Sequence, residues 1–187
     1  MARILILYST TDGHTLKICQ RLAQGLVRQD HEVALHPVAD FDGATLTSFN
    51  SVVIGASIRY GKHSQHVLDF IACHQRMLDS IPSAFFSVNI VARKPEKNQP
   101  ETNPYLKKFL RKIAWRPALL AVFAGKLDYP RYGTFDRMMI RLIMLITKGP
   151  TDPTTVVEFT DWHQVDAFAT QVGNLHRNHQ SAGKICC

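Results

Sequence analysis

The sequence predicts an α/β fold in which a parallel sheet carries helices on both faces. Two observations lead there. Short apolar runs alternate with stretches of helical period along the chain, with no internal repeat or low-complexity tract between them. The first run, RILIL from Arg3, passes straight into the cluster STTDGHT where a helix begins, which is a strand-to-helix turn.

The elements follow in order. Residues 3–8 form the first expected strand, with Ile4, Leu5, Ile6 and Leu7 reading as buried on both faces. Helix 15–28 places Leu16, Ile18, Leu22 and Leu26 on its apolar side. Further strands are expected at 32–36, 51–55, 84–91 and 119–124, with 155–159 as another candidate. Helix 64–80 turns Val67, Phe70, Ile71 and Leu78 inward. Helix 161–177 turns Val165, Phe168, Ala169, Val172 and Leu175 inward; Asp161 suits its N-cap, and Gln164 three residues on resembles a capping box.

Two segments exceed simple connections. Residues 92–117 begin ARKPEKNQPETNPY and show no period until Asn103 and Pro104, which suit the N-cap and first position of a short helix carrying Leu106, Phe109, Leu110 and Ile113. Residues 126–150 project as a helix from Thr134. Arg137, Arg141 and Lys148 share one stripe. Phe135, Met138, Met139, Leu142, Leu145 and Ile146 lie opposite, with Ile140 and Ile143 on the flank. Such a basic amphipathic helix suits a lipid interface or a hydrophobic substrate, and also a core or a dimer interface. The domain reading is one unit over 1–177 with insertions at 92–117 and 126–150, and a flexible tail over 178–187.

Composition bounds the function. The 187 residues are 45% apolar and 20% charged, as in one soluble globular domain. No signal-peptide pattern is visible, and no run approaches the roughly 18 apolar residues of a membrane span. The net charge of +7 favours anionic partners. The basic residues are scattered over loops and one greasy helix, so nucleic acid is not expected. Cys19 and Cys73 read as reduced small hydrophobes on helices, and Cys186 and Cys187 belong to the tail and match no prenylation motif. His63 and His66, three apart beside a loop, are the nearest approach to a metal pair, and no metal is expected. There is no G-x-S-x-G elbow, and the first strand ends in Tyr8 and Ser9 rather than paired carboxylates.

In a doubly wound sheet, ligands bind beyond the carboxyl ends of the strands. After the first strand, the hydroxyls of Ser9, Thr10, Thr11 and Thr15 stand beside the free N–H groups of a helix start, which makes a cup for phosphate. The same residues are also ordinary turn and cap formers. The loop is neither G-x-G-x-x-G nor G-x-x-x-x-G-K-[ST], so a monophosphate suits it better than a triphosphate. After the third strand, ASIRYGKHS offers Ser57, a flexible Gly61, and Tyr60, whose ring can stack on a heterocycle. Arg59 and Lys62 there suit negative charge on a reduced ring or on a substrate, or simply a solvated loop. After the fourth strand, Asn89 and nearby amides suit the edge of a ring. Together the three loops fit a mononucleotide with a flat ring.

The cluster STTDGHT, in a chain of this pattern, resembles the phosphate loop of flavodoxins. The stretches VVIGASIRYG (52–61), PSAFFSVNIVARKPEK (82–97), WRP (115–117), YPRY (129–132), DRMMIRLIM (136–144) and TDW (160–162) are similar, in order, to the menaquinone-dependent protoporphyrinogen IX dehydrogenases, flavodoxin-like enzymes of haem synthesis. The resemblance implies a flavodoxin-like sheet of order 2-1-3-4-5 and a non-covalent FMN. Its phosphate would sit on Ser9, Thr10 and Thr11 with Asp12, Gly13, His14 and Thr15. Its ring would be framed by Ala56, Ser57, Ile58 with Arg59, Tyr60, Gly61, and by the 87–93 loop with Ser87, Val88 and Asn89. The reaction implied is oxidation of protoporphyrinogen IX to protoporphyrin IX in two-electron steps, with menaquinone or ubiquinone as acceptor, on the cytoplasmic face of a bacterial inner membrane.

The substrate's two propionates suit Arg59, Lys62, Arg93, Lys94 and Lys97, and Arg59, Tyr60 and Arg93 are the expected orienting residues. No acid–base side chain is assigned. The helix at 134–148 would meet an anionic membrane surface, and a homo-oligomer is left open. One departure stands out: flavodoxin loops place Gly one residue earlier, so Asp12 is extra, and its place beside a phosphate is open. The other readings are an NAD(P)H:quinone reductase, for which no second nucleotide site is visible, and a flavodoxin-type electron carrier, which the basic charge disfavours.

Overall fold

The computed structural model describes the backbone of residues 1–147 and 149–183 and side chains through Leu175. Lys148 and residues 184–187, with Cys186 and Cys187 of the expected tail, lie outside the described residues. Strands β1 (Arg3–Ser9), β2 (Glu32–Pro37), β3 (Ser51–Ser57), β4 (Ser83–Asn89) and β5 (Leu119–Ala124) form one parallel sheet in the order β2-β1-β3-β4-β5. The helices are α1 (His14–Val27), α2 (Gln65–Ser80), α3 (Pro104–Leu110), α4 (Thr134–Ile146) and α5 (Trp162–Gly183).

Side chains alternate across the sheet, so each central strand serves two cores. Ile4 and Ile6 pack with Ile18, Leu22 and Leu26 of α1 and with Val165 and Phe168 of α5. Leu5 and Leu7 pack on the other face with α2, α3 and Trp115. Burial on both faces is why β1 and β3 read as unbroken apolar runs, each buried Leu or Ile contributing about 1.5–3 kcal/mol. Gly55 of β3 marks a close approach: a Cβ there would strike the ring of Phe86, which packs on Phe123 at 5.3 Å and Phe168 at 6.1 Å. Helices α1 and α5 are tied by Arg21, whose Nε and Nη2 donate to the two oxygens of Asp166 at 2.7 and 2.8 Å. Asp161 caps α5, its Oδ1 accepting from the amides of His163 (2.9 Å) and Gln164 (3.3 Å). The helix continues to Gly183, past the boundary expected at 177 and through the first part of the expected tail.

One boundary shifts, and two expected segments are found in place. Strand β4 ends at Asn89 rather than at 91, because the Asn89 side chain accepts from the Ala92 amide at 3.1 Å and turns Ile90–Arg93 into a single helical turn. The proline-rich 92–117 segment is folded against the sheet. Asn103 Oδ1 caps α3 by accepting from Tyr105 and Leu106 amides at 3.1 Å each, while its Nδ2 donates to Lys97 O at 2.8 Å. Trp115 is fully buried and donates from Nε1 to Ser83 Oγ at 3.1 Å. The candidate strand at 155–159 is present as β7 (Val156–Glu158), which pairs antiparallel with β6 (Lys126–Asp128) in a separate ribbon. Helix α4 is carried between the two strands of that ribbon, over a small core of Leu127, Tyr129, Tyr132 and Met144.

Candidate active site

The carboxyl ends of β1, β3 and β4 open into a cavity of about 350 Å³. Its floor comes from the first loop, one wall from Ser57 to Gly61, and another from Val88, Asn89 and Ile90. Gly125 to Asp128 and Tyr105 complete the sides. Met139, Ile140 and Ile143 of α4 form an apolar roof.

The floor is shaped by one glycine. Gly13 stands at the N-cap of α1 with φ +83°, a left-handed conformation that a side chain would strain. It has no side chain to cap α1, and Asp12 forms no hydrogen bond to the helix among the described residues. The first-turn amides therefore face the cup. Thr15 is buried, and its Oγ1 has no partner among the described residues. Thr10 Oγ1 accepts from the Gly13 amide at 3.0 Å and sets the turn. A buried hydroxyl without a partner costs about 1–3 kcal/mol. An anion in the cup would satisfy both that hydroxyl and the amides, so these residues fit a phosphate.

His14 has another partner. Its Nε2 lies 2.6 Å from Thr160 Oγ1, which donates its only hydrogen to Ala124 O at 2.7 Å. Nε2 must therefore carry the proton. Burial holds the imidazole below its ordinary pKa, and its ring meets Trp162 edge-on at 6.2 Å. His14 is thus a neutral brace between the first loop and the start of α5, contributing its backbone to the cup.

The wall after β3 is a tight turn. Arg59 and Lys62 exchange backbone hydrogen bonds at 3.0 and 3.1 Å, with Tyr60 at φ +50° and Gly61 at φ +74°. Two successive left-handed residues are the signature of a primed turn, and Tyr60 is strained there. The strain aims Tyr60 at α4: its hydroxyl donates to Asp136, and Arg59 forms an ion pair with the same carboxylate. Tyr60 also lies 6.3 Å from Phe135. The turn is thereby fastened to the first helical turn of the roof. Asp136 is an acidic residue at the start of a basic helix, where the helix dipole favours it.

The expected residues divide. Thr10, Thr11, Asp12, His14 and Thr15 line the cavity. Ser57, Ile58, Arg59, Tyr60 and Gly61 line it too, as do Val88 and Asn89. Ser9, Gly13, Ala56 and Ser87 are not among the lining residues. Ser87 is buried with its Oγ 3.0 Å from His63 Nε2. His63 packs on Phe109 at 4.5 Å and Phe85 at 5.5 Å, and burial drops its pKa to about 3, so it is a neutral core residue. Among the described residues no cluster of His, Cys, Asp and Glu could hold a metal.

Arg93, expected to orient a substrate, does not line the cavity. Its Nη2 donates to Thr147 O at 3.0 Å and Thr147 Oγ1 at 2.9 Å, and its guanidinium lies over Phe159 at 6.0 Å. It holds the far end of α4. Sequence reasoning missed Asp136 and the group Lys126, Asp128, Arg131 and Tyr132, all of which line the cavity. The available signal was a lone acid opening a basic helix, and a Tyr-Pro-Arg-Tyr turn just before it.

Helix α4 presents its apolar residues on two sides. Met139, Ile140 and Ile143 face the cavity, and Met144 is buried. Phe135, Met138, Leu142, Leu145 and Ile146 are exposed, Leu145 by 68% and Ile146 by 73%. Arg137 and Arg141 border that outer face in a groove with Met138, Leu142 and Leu145. No helix among the described residues is long and apolar enough to cross a membrane.

Comparison with known proteins agrees with this geometry. A family described as a flavodoxin domain matches residues 5–154. A protein of Escherichia coli strain K12 named protoporphyrinogen IX dehydrogenase (quinone) is 46% identical over 173 residues, covering 92% of this chain and 96% of its own. A Leishmania major protein of the same name is 43% identical over 174 residues, covering 92% of this chain and 75% of its own. Oxidised flavodoxin 1 from Bacillus cereus superposes with a TM-score of 0.51 at 13% identity, over 95% of this chain and 98% of its own, which shows the shared fold.

An exposed ion pair contributes about 0–1 kcal/mol to global stability. Asp136→Ala should therefore leave the urea midpoint almost unchanged while amide exchange in the first turns of α4 rises. Unchanged exchange there would show that Asp136 does not hold the roof.

Proposed function

The chain belongs to the quinone-dependent protoporphyrinogen IX dehydrogenases, a flavodoxin-domain family, and from that membership we propose how its cavity works. The protein oxidises protoporphyrinogen IX to protoporphyrin IX in haem synthesis, with FMN held in the cavity and a membrane quinone as the electron acceptor. The observation that carries the proposal is the cup at the start of α1. Its free amides and the unpartnered Thr15 hydroxyl suit the phosphate of FMN, and the cup opens into a cavity under an apolar roof. Bound FMN would supply the two-electron redox chemistry.

The chain's residues would do the rest. Thr10 and Thr15 with the first-turn amides of α1 hold the phosphate. The 57–61 turn and the backbone of Val88 and Asn89 frame a flat ring. Met139, Ile140 and Ile143 exclude water and favour a greasy macrocycle. Arg59 offers positive charge beside the ring, and Asp136 sets its direction.

Purified protein loaded with FMN and mixed with protoporphyrinogen IX without oxygen should lose its flavin absorbance as porphyrin fluorescence appears. A quinone should then restore the flavin band. Flavin that stays oxidised would contradict the dehydrogenase reading and favour an NAD(P)H:quinone reductase or an electron carrier.

The outer face of α4 gives the protein a site of work. Exposed Phe135, Met138, Leu142, Leu145 and Ile146 beside Arg137 and Arg141 suit the surface of an anionic bilayer, where quinone is dissolved. The protein would then be peripheral, on the cytoplasmic face of a bacterial inner membrane. It should sediment with vesicles containing phosphatidylglycerol but not with phosphatidylcholine alone, and the pair Leu142→Glu and Leu145→Glu should abolish this without altering bound flavin. Wild-type protein that ignores both vesicles, and self-associates through this face instead, would assign α4 to a second copy of the chain.

A further inference from the structure

The cavity's positive side chains are Arg59, Lys126, Arg131 and, when protonated, His14. Three of them are committed. Arg59 is paired with Asp136. Lys126 Nζ lies 2.7 Å from Asp128 Oδ2. His14 donates to Thr160, and burial holds it neutral. Arg131 has no ion pair among the described residues. Lys62, Arg93, Lys94 and Lys97, the other basic residues expected to meet an anionic substrate, do not line the cavity.

The backbone of Arg131 is held firmly although its side chain is exposed. It ends the single helical turn Tyr129–Arg131, whose φ at Pro130 is fixed by the ring. Tyr129 is fully buried, and its hydroxyl donates to Pro150 O at 2.8 Å. The Tyr132 amide donates to Tyr129 O at 3.1 Å, and the Tyr132 hydroxyl accepts from the Asp128 amide at 3.2 Å. A free guanidinium is thus presented from a fixed turn at the wet rim of a cavity with an apolar roof. Guanidinium matches a carboxylate in a two-point hydrogen bond. A dicarboxylate macrocycle is favoured in that orientation, with its carboxylates left near water and its rings beneath Met139, Ile140 and Ile143.

We propose that Arg131 is the carboxylate anchor of the substrate, the residue by which the site prefers a free-acid tetrapyrrole to a neutral one. This rests on the dehydrogenase reading above. Asp12, the other lining charge without an ion pair among the described residues, is acidic and opposes a carboxylate, which leaves Arg131 as the uncommitted cation of the lining.

The test compares protoporphyrinogen IX with its dimethyl ester, in the FMN-loaded wild type and in Arg131→Gln and Arg131→Lys. A charge-assisted hydrogen bond corresponds to about a tenfold change in binding. The wild type should show a KM about tenfold lower for the free acid than for the ester. In Arg131→Gln the two KM values should converge, with kcat and the flavin spectrum unchanged, because the contact acts equally on substrate and transition state. Arg131→Lys should restore part of the preference. An Arg131→Gln enzyme that still prefers the acid as the wild type does would overturn the proposal. Loss of bound flavin in that variant would also overturn it, by assigning Arg131 to the cofactor. A wild type that oxidises neither compound would instead refute the dehydrogenase reading, and the anchor with it.

Discussion

The site is organised around a helix start that the chain leaves unpaired. Asn103 closes the first turn of α3 with its side chain and Asp161 that of α5, whereas α1, α2 and α4 have no side-chain cap. At α1 the N-cap is Gly13 in a left-handed turn, and the nearby Thr15 hydroxyl is buried without a partner among the described residues. Each missing hydrogen bond lowers stability slightly, and the two cores on either side of β1 supply the stability that tolerates it. The strand order places this helix start at the switch point of the sheet, so the loops after β3 and β4 converge on the same spot. His14 and Thr160 then tie the loop to the start of α5 and fix its position.

The second constraint is the roof. Helix α4 is held at one end by Asp136 with Arg59 and Tyr60, and at the other by Arg93 on Thr147. The two attachments differ in kind. The Arg93 end is partly buried and tied to the backbone, whereas the Asp136 end is a side-chain cluster open to water. Opening at the Asp136 end would disturb little of the core. It would also move the strained Tyr60 turn, so access to the cavity and the shape of its wall are linked. The same helix turns one apolar set toward the cavity and another toward solvent, which makes it the partition between the site and whatever covers its outer face.

Much of this was legible in the sequence, for physical reasons. Strands buried on both faces write themselves as apolar runs, and β1 and β3 are of that kind. Asn103-Pro104 and Asp161 marked helix starts because capping is local chemistry. The hydroxyl loop was legible because its hydroxyls exceed what a turn needs. What failed depended on distant partners. The end of β4 was hidden because a side chain of Asn89, rather than a breaker residue, stops the strand. The acceptors of Arg93 on Thr147 were hidden for the same reason. Arg131 and Asp136 stood in the stretches YPRY and DRMMIRLIM, but nothing in the sequence placed them at the site until the β6–β7 ribbon carried them to the cavity. The apolar stripe of α4 was correctly seen, but its division into an inner and an outer face is set by what lies beneath it.

In the proposed function, the open start of α1 holds the phosphate of FMN. The most direct measurement is the affinity of the flavin-free protein for FMN and for riboflavin, which differ only in that phosphate, in the wild type and in Thr15→Val. The wild type should bind FMN more tightly than riboflavin by at least about tenfold. Thr15→Val should narrow the gap while riboflavin binding holds steady. Equal affinity of the wild type for the two flavins would show that the cup does not hold the phosphate.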